Sequence, residues 1–278
     1  MKVTVLIDNN TLIDRYFLGE PGVSYFIEAD GKKILFDVGY SDAFITNARK
    51  LSIDILNTDF VVLSHGHIDH TWGLIPLVSH YTERILEEQN THKATLVTHP
   101  LTLSAKRFDN VLEIGSLLTE DRLSCYFNLE LSREPVNLTE RLVYLGEIER
   151  TNAFEAKIPI GKTWEDGIEK DDFLFDDSAL AYKSDEGLII ITGCSHAGIC
   201  NIVEYARKVC GDDRVVDIIG GFHLLNPGTE QLQATMEYMK GLHPTSVHAC
   251  HCTDLHSKIE LSKVVNLKEV GVGLKLQY

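Results

Sequence analysis

Positive charge is scarce in this sequence: 26 Lys and Arg stand against 41 Asp and Glu, a formal net charge of −15. So acidic a chain has no attraction to phosphate polymers, and no local basic groove is visible, so a nucleic-acid partner is not expected. Long apolar runs are missing as well. None approaches the roughly 20 residues of a membrane-spanning helix. The start, MKVTVLIDNN, carries one lysine and a short apolar run, too little for a signal peptide. The reading is therefore a cytoplasmic protein with no membrane partner. Six cysteines in 278 residues make no disulfide framework. Cys194, Cys200, Cys250 and Cys252 instead stand near histidines, which fits a reducing compartment and metal chemistry. Repeats and low-complexity linkers are absent too. A 44% hydrophobic, 24% charged composition excludes a disordered or collagenous chain. The length suits one α/β domain over residues 1–278, with ample core.

Apolar, β-branched runs predict strands at Val3–Ile7, Gly22–Ala29, Lys32–Val38, Phe60–Leu63 and Ala94–Val97. Asp30-Gly31 between the second and third is a tight-hairpin signal. Helical spacing covers Leu74–Leu86, with Pro76 in its first turn. Residues 101–177 carry short apolar runs and many charges and read as a helix, some strands and an excursion rather than a separate domain. Alternation then returns: a hairpin of Ala179–Tyr182 and Leu188–Thr192, a helix Ile199–Val209, a strand Val215–Ile219, a helix Glu230–Lys240, a strand Ser246–Ala249, a helix His256–Leu267 and a strand Leu274–Gln277. Two sheets covered outside by helices, a four-layer αββα sandwich of the α/β (α+β) class, satisfy this pattern.

The chemistry concentrates in Val61-Val62-Leu63-Ser64-His65-Gly66-His67-Ile68-Asp69-His70. A buried strand ends and four potential ligands follow within six residues. Imidazole and carboxylate are ligands for borderline divalent metals. His65 and His67, two apart in an extended turn, face one way and can grip one ion. Asp69 and His70 follow the bend and can face a second. Gly66 is expected to give the turn its conformational freedom. A lone histidine here would be a capping residue; three histidines and an aspartate form a metal-binding pattern.

This run resembles the HxHxDH signature of the metallo-β-lactamase superfamily. Leu35-Phe36-Asp37-Val38-Gly39 is similar to that family's strand-end Asp-Gly motif. Gly193-Cys194-Ser195-His196-Ala197-Gly198-Ile199, Gly220-Gly221-Phe222-His223-Leu224 and His251-Cys252-Thr253 resemble one branch. That branch comprises proteins like 7,8-dihydropterin-6-methyl-4-(β-D-ribofuranosyl)aminobenzene-5′-phosphate synthase. The resemblance implies the metallo-β-lactamase fold and a divalent metal cofactor, one or two ions, with zinc first and iron or manganese as alternatives. It implies that His65 and His67 hold one metal, that Asp69 and His70 hold another, and that His251 completes the second site. A bridging or third ligand comes from the segment ending the Leu188–Thr192 strand, with His196 preferred and Cys194 its rival. The usual third histidine of the first site has no matching motif, and Asp177 and His99 stand as further candidates. Asp254 replaces an expected glycine, which brings a carboxylate to that loop and toward the site.

Around these, Asp37 reads as an outer acceptor that fixes a ligand imidazole. His223, at another strand end, reads as the general acid that protonates a leaving group, and Asp69 as the group that orients the nucleophile. Arg150 could fork onto a substrate phosphate or carboxylate. Lys106 and Arg107 read as solvated surface, Trp72 as packing, and His80, His92, His243 and His256 as surface histidines. The implied activity is metal-assisted hydrolysis of a small, anionic phosphoester or related ester. Its rivals are a pterin-type condensation, as in the branch, and a non-catalytic metal-binding sensor.

Overall fold

Period-two alternation decides the layering. Along Ser24–Ala29, Tyr25, Ile27 and Ala29 enter one core while Phe26 enters another. Along Leu188–Thr192, Ile189 and Ile191 join Tyr25 and Ile27, while Leu188 and Ile190 face the opposite way. The shared middle core sits between two sheets, and each sheet's other face packs on helices. Successive strand side chains point to opposite faces, so strands buried on both faces must be apolar throughout. Each such Val, Ile or Leu contributes roughly 1.5–3 kcal/mol by leaving water.

The computed structural model describes residues 1–89, 92–111, 113–165 and 167–278. Its seven-stranded sheet runs Lys275–Gln277, Lys2–Ile7, Ser24–Ala29, Lys32–Phe36, Phe60–Val62, Thr95–Thr98, Asn128–Leu131. Its six-stranded sheet runs Ser246–Cys250, Val215–Gly221, Leu188–Thr192, Ala179–Lys183, Leu142–Tyr144, Val136–Asn137. Helices Ala43–Lys50 and Leu74–Leu86 contribute to the outer core of the first sheet. Helices Ile199–Cys210, Thr229–Leu242 and Leu255–Leu261 contribute to that of the second. This is the four-layer αββα sandwich. Asp30 and Gly31 both have positive φ, 49° and 75°, as a two-residue primed turn requires.

Two sets of parallel strands aim their carboxyl ends at one rim. Lys32–Phe36, Phe60–Val62 and Thr95–Thr98 end at Asp37, the Ser64–His70 turn and His99. Leu188–Thr192, Val215–Gly221 and Ser246–Cys250 end at Cys194, His223 and His251.

The last helix and Lys106 depart from the sequence expectation. The last helix spans only Leu255–Leu261, because the chain then swings back, where Val247 and Lys268 exchange bonds with Asn266 and Val247 along the sheet edge. The strands expected in the excursion form a three-stranded sheet of their own, Lys106–Arg107, Lys162–Glu165 and Ile168–Asp171. Lys106 is not surface: it is 1% exposed, with Nζ 2.9 Å from Asp172 Oδ2 and 3.1 Å from Asp176 Oδ1.

Candidate metal centre

The turn after Phe60–Val62 is held from both sides. Ser64 N donates to Asp37 Oδ1 at 2.7 Å, and Gly66 N donates to Asp176 Oδ2 at 2.8 Å. Gly66 is needed for closeness rather than for an unusual backbone. Its φ is not positive, and a Cβ there would collide with the Thr102 carbonyl.

One buried carboxylate orients two imidazoles. Asp37 Oδ2 accepts from His70 Nδ1 at 2.7 Å and from Ser64 Oγ at 2.7 Å, and Ser64 Oγ lies 2.9 Å from His65 Nδ1. Both imidazoles are thus tied through Nδ1, which turns Nε2 toward the rim. His251 is fixed by its own partners. Its backbone N donates to Asp8 Oδ1 at 2.9 Å, and its Nδ1 lies 2.9 Å from Asn9 Oδ1.

The donor atoms fall into two neighbouring groups. In the first, His65 and His196 lie with Cys194, donor atoms all within 4.8 Å, and the His67 ring stands 4.8 Å from His65 and 4.7 Å from His196. In the second, Asp69, His70, Cys194 and His251 converge. Cys194 Sγ is 3.2 Å from His70 Nε2 and 3.1 Å from His251 Nε2, and those two nitrogens are 3.3 Å apart. Asp69 Oδ2 is 3.3 Å from His251 Nε2 and 3.7 Å from His70 Nε2. A tetrahedral divalent ion with its usual bond lengths needs donor-to-donor edges of roughly 3.3–3.6 Å.

Several buried atoms here find no other partner among the described residues: His65 Nε2, His67 Nε2 and both nitrogens of His196. An unpartnered buried polar atom is unfavourable by about 1–3 kcal/mol, so four together need an explanation. A cation that accepts their lone pairs supplies one, and imidazole, carboxylate and thiol are donors suited to it. The residues present therefore fit a divalent metal.

Electrostatics prepare most of them. Burial and adjacent imidazoles push His65 and His196 well down, and burial with the nearby Lys106 cation takes His67 down to about 3, so all three are neutral donors. His70 behaves oppositely. Burial disfavours its charge, but Asp69 and Asp37 outweigh that and raise it to about 9. Burial pushes the Cys194 thiol up, with Cys252 beside it. Asp177 is pushed up to about 7 by burial and by Asp176.

The remaining candidates separate. Asp177 sits behind the first group, its Oδ1 3.9 Å from His65 Nδ1 and its Oδ2 accepting from Ala197 N. His99 is not with the cluster: its Nε2 faces Glu147 at 3.2 Å and its Nδ1 accepts from Leu101 N, so both nitrogens are used. Arg150 does not reach the site either. It donates to the carbonyls of Phe173 and Leu174 and lies over the Phe175 ring, which fastens the excursion. Asp254 caps the last helix through Ser257 N and holds Asn226 N, so its carboxylate is turned away from the donors. Trp72 packs on Tyr40 and donates to Gly115 O. The His223 ring lies 4.3 Å from that of His196, tilted by 55°, with Nδ1 buried and unpartnered among the described residues. Asp8, Asn9 and the bracing role of Ser64 were not foreseen from sequence. Asp8 and Asn9 follow the apolar run Val3–Ile7, the same strand-end signal that singles out Asp37.

A cleft of about 330 Å³ opens over these groups, lined by His67, Asp69, His196, His223, His251 and Cys252. A second cavity of similar size shares His196 and His223 and continues past Phe154, Phe173 and Lys157.

Comparison with known proteins places this architecture. The family model described as Metallo-beta-lactamase superfamily matches residues 18–205. The 7,8-dihydropterin-6-methyl-4-(beta-D-ribofuranosyl)-aminobenzene-5'-phosphate synthase of Methanocaldococcus jannaschii is 32% identical over 263 residues, covering 91% of this chain and 87% of that protein. MJ0448 of the same organism, an uncharacterized protein, is 28% identical over 272 residues, 98% of each chain. Among solved structures, Tm1679, described as a metal-dependent hydrolase of the beta-lactamase superfamily, superposes with a TM-score of 0.83 at 26% identity, covering 100% of this chain and 99% of that one. No helix among the described residues is long and apolar enough to cross a membrane.

Proposed function

Because this chain belongs to the Metallo-beta-lactamase superfamily, we propose that it is a metal-dependent hydrolase of a small, anionic phosphoester or related ester. The observation that carries this reading is the convergence of buried imidazole nitrogens that have no protein partner. His65, His67 and His196 would hold one ion, and Asp69, His70 and His251 would hold a second. Zinc suits the donor set best. Bound there, a divalent ion supplies Lewis acidity and lowers the pKa of coordinated water to about 7.

The chain's own groups do the rest. Asp37 keeps His70 and, through Ser64, His65 in one orientation, so their Nε2 atoms stay aimed during turnover. Asp69 is 24% exposed toward the cleft, where its carboxylate accepts a hydrogen bond from the attacking water and aligns it. His223 keeps its proton to higher pH than a free imidazole: burial opposes the charge, but Cys252, Asp177 and Asp69 outweigh it. It donates that proton to the departing oxygen. Lys157 and the aromatic side chains of the adjoining cavity bind the remainder of the substrate.

A condensation is the second reading, favoured by the 32% identity to a protein named as a synthase. Metal analysis of protein purified without added metal, followed by a panel of phosphodiester, phosphomonoester, thioester and lactone substrates, separates the two. Bound metal and chelator-sensitive hydrolysis of one class are expected. Bound metal with a blank panel turns the assignment to the synthase. Absence of bound metal, and of uptake on adding zinc, sinks both.

A further inference from the structure

We propose that Asp176 is a positioning residue for the metal turn, acting through the Gly66 amide from a strap, residues 172–178, that Lys106 grips at two points. This rests on the metal-centre reading above and adds no ligand to it. Gly66 stands between His65 and His67, so whatever holds its peptide sets the spacing of those two imidazoles. Its N–H donates to Asp176 Oδ2 at 2.8 Å, while Oδ1 of the same carboxylate takes Lys106 Nζ at 3.1 Å. The next strap residue, Asp177, brings Oδ1 to 3.9 Å from His65 Nδ1. The one after it, Ser178, donates its N–H to Ser64 O at 2.9 Å. Strap and turn thus run antiparallel, with Asp176, Asp177 and Ser178 set against Gly66, His65 and Ser64.

The strap is held in a shape that its own residues disfavour. Leu174 has φ 51°, a left-handed backbone uncommon for so bulky a side chain. Arg150 fixes it by donating to the carbonyls of Phe173 and Leu174 at 2.6 Å and 2.8 Å, and Asp172 Oδ1 accepts from Leu174 N at 2.8 Å. Such strain persists where the surroundings over-determine it, and it gathers at functional sites. Lys106 Nζ also takes Asp172 Oδ2 at 2.9 Å, and all three charged groups are buried. The ammonium is pressed against the turn as well, since a Cβ on Gly66 would meet Lys106 Cε at 2.7 Å. Phe173 and Leu174, between the two gripped carboxylates, line the second cavity beside His196. One buried cation therefore anchors both a wall of that cavity and the turn that carries His65 and His67. Asp172 supplies the internal control: it pairs with the same ammonium but takes no bond from the turn among the described residues.

The test compares Asp176→Ala with Asp172→Ala in the full chain, by zinc titration and by the visible absorption of the cobalt-loaded protein, which reports ligand geometry. Each variant strips Lys106 of one carboxylate, so both should lower the urea midpoint. Only Asp176→Ala should weaken zinc binding, by roughly 10–100-fold, and alter the cobalt bands. Asp172→Ala should keep the parent affinity and spectrum. Asp176→Asn loses the charge but keeps an acceptor for the Gly66 N–H, so it should recover the parent spectrum even if the alanine variant does not fold. Parent-like metal binding in Asp176→Ala, an equal loss in Asp172→Ala, or an asparagine variant with altered bands overturns the role of Asp176 and leaves the metal-centre reading standing. A parent chain that takes up neither zinc nor cobalt overturns both.

Discussion

Asp37 Oδ2 lies 2.7 Å from His70 Nδ1, and both residues are fully buried. The same carboxylate takes the Ser64 hydroxyl and, with its other oxygen, the Ser64 amide. One side chain therefore sets the aim of an imidazole in each donor group.

Asp37→Ala should weaken divalent metal binding by roughly 10–100-fold, the usual effect of losing such an outer partner. It also leaves the Ser64 amide without its acceptor, destabilising the fold by about 1–3 kcal/mol. Isothermal titration with zinc and a urea melt measure the two effects. Asp37→Asn should fare little better, because its amide donor would face either the Ser64 backbone N–H, at the Oδ1 position, or the His70 N–H, at the Oδ2 position. Unchanged zinc affinity in both variants would remove Asp37 from the site.

Lys106→Met should be strongly destabilising. The ammonium is enclosed between Asp172 and Asp176, and its loss leaves two carboxylates buried without their cation. Breaking a buried pair in this way is unfavourable by about 3–5 kcal/mol. The denaturation midpoint should fall accordingly at pH 7 and recover partly at lower pH, where the carboxylates take up protons. A midpoint within measurement error of the parent contradicts the pairing.

Metal affinity should rise with pH. His70 is raised from about 6.5 to about 9 in the metal-free protein, so its proton stabilises the fold fully below pH 6.5, and that contribution is lost as pH rises through 9. A metal at His70 Nε2 must displace that proton. Binding at pH 7 should thus release protons, and zinc affinity should climb between pH 6.5 and 9 and then flatten. Titrations in buffers of different ionisation enthalpy count the protons; a pH-independent affinity would exclude His70 as a ligand.

His223→Ala should retain metal while slowing hydrolysis by roughly 10²–10⁴-fold, the range for loss of a general acid. The alkaline limb of the rate profile should vanish with it. Equal rates in parent and variant would make His223 a packing residue.

Local signals in the sequence carry the layers well. Asp30-Gly31 between two alternating runs specifies a primed turn because both residues tolerate positive φ. Leu188–Ile191 is apolar at every position, and the strand is buried throughout, because both of its faces are covered. At the site, the spacing of His65, His67, Asp69 and His70 is itself the chemistry, so it is visible without a fold. What escapes is long-range pairing. Lys106 looks like a surface lysine until Asp172 and Asp176 arrive from 66 and 70 residues away. Arg150 and His99 look available until carbonyls and Glu147 use their nitrogens. The choice between Cys194 and His196 likewise depends on how the end of Leu188–Thr192 meets the Ser64 turn, which no local pattern encodes.

Asp37, Ser195, His223 and His251 all have φ between 49° and 64°, a left-handed backbone that is uncommon outside glycine even though Asp and His enter it more readily than most residues. Glycine at any of these four positions would relax the chain by roughly 1 kcal/mol while removing a working group. Selection for heat resistance alone would favour glycine at His223, whose Nδ1 has no partner among the described residues, and oppose it at Asp37, whose carboxylate holds the Ser64 amide. His223 is thus where durability and chemistry pull one codon in opposite directions, and a library screened only for folding should drift there first.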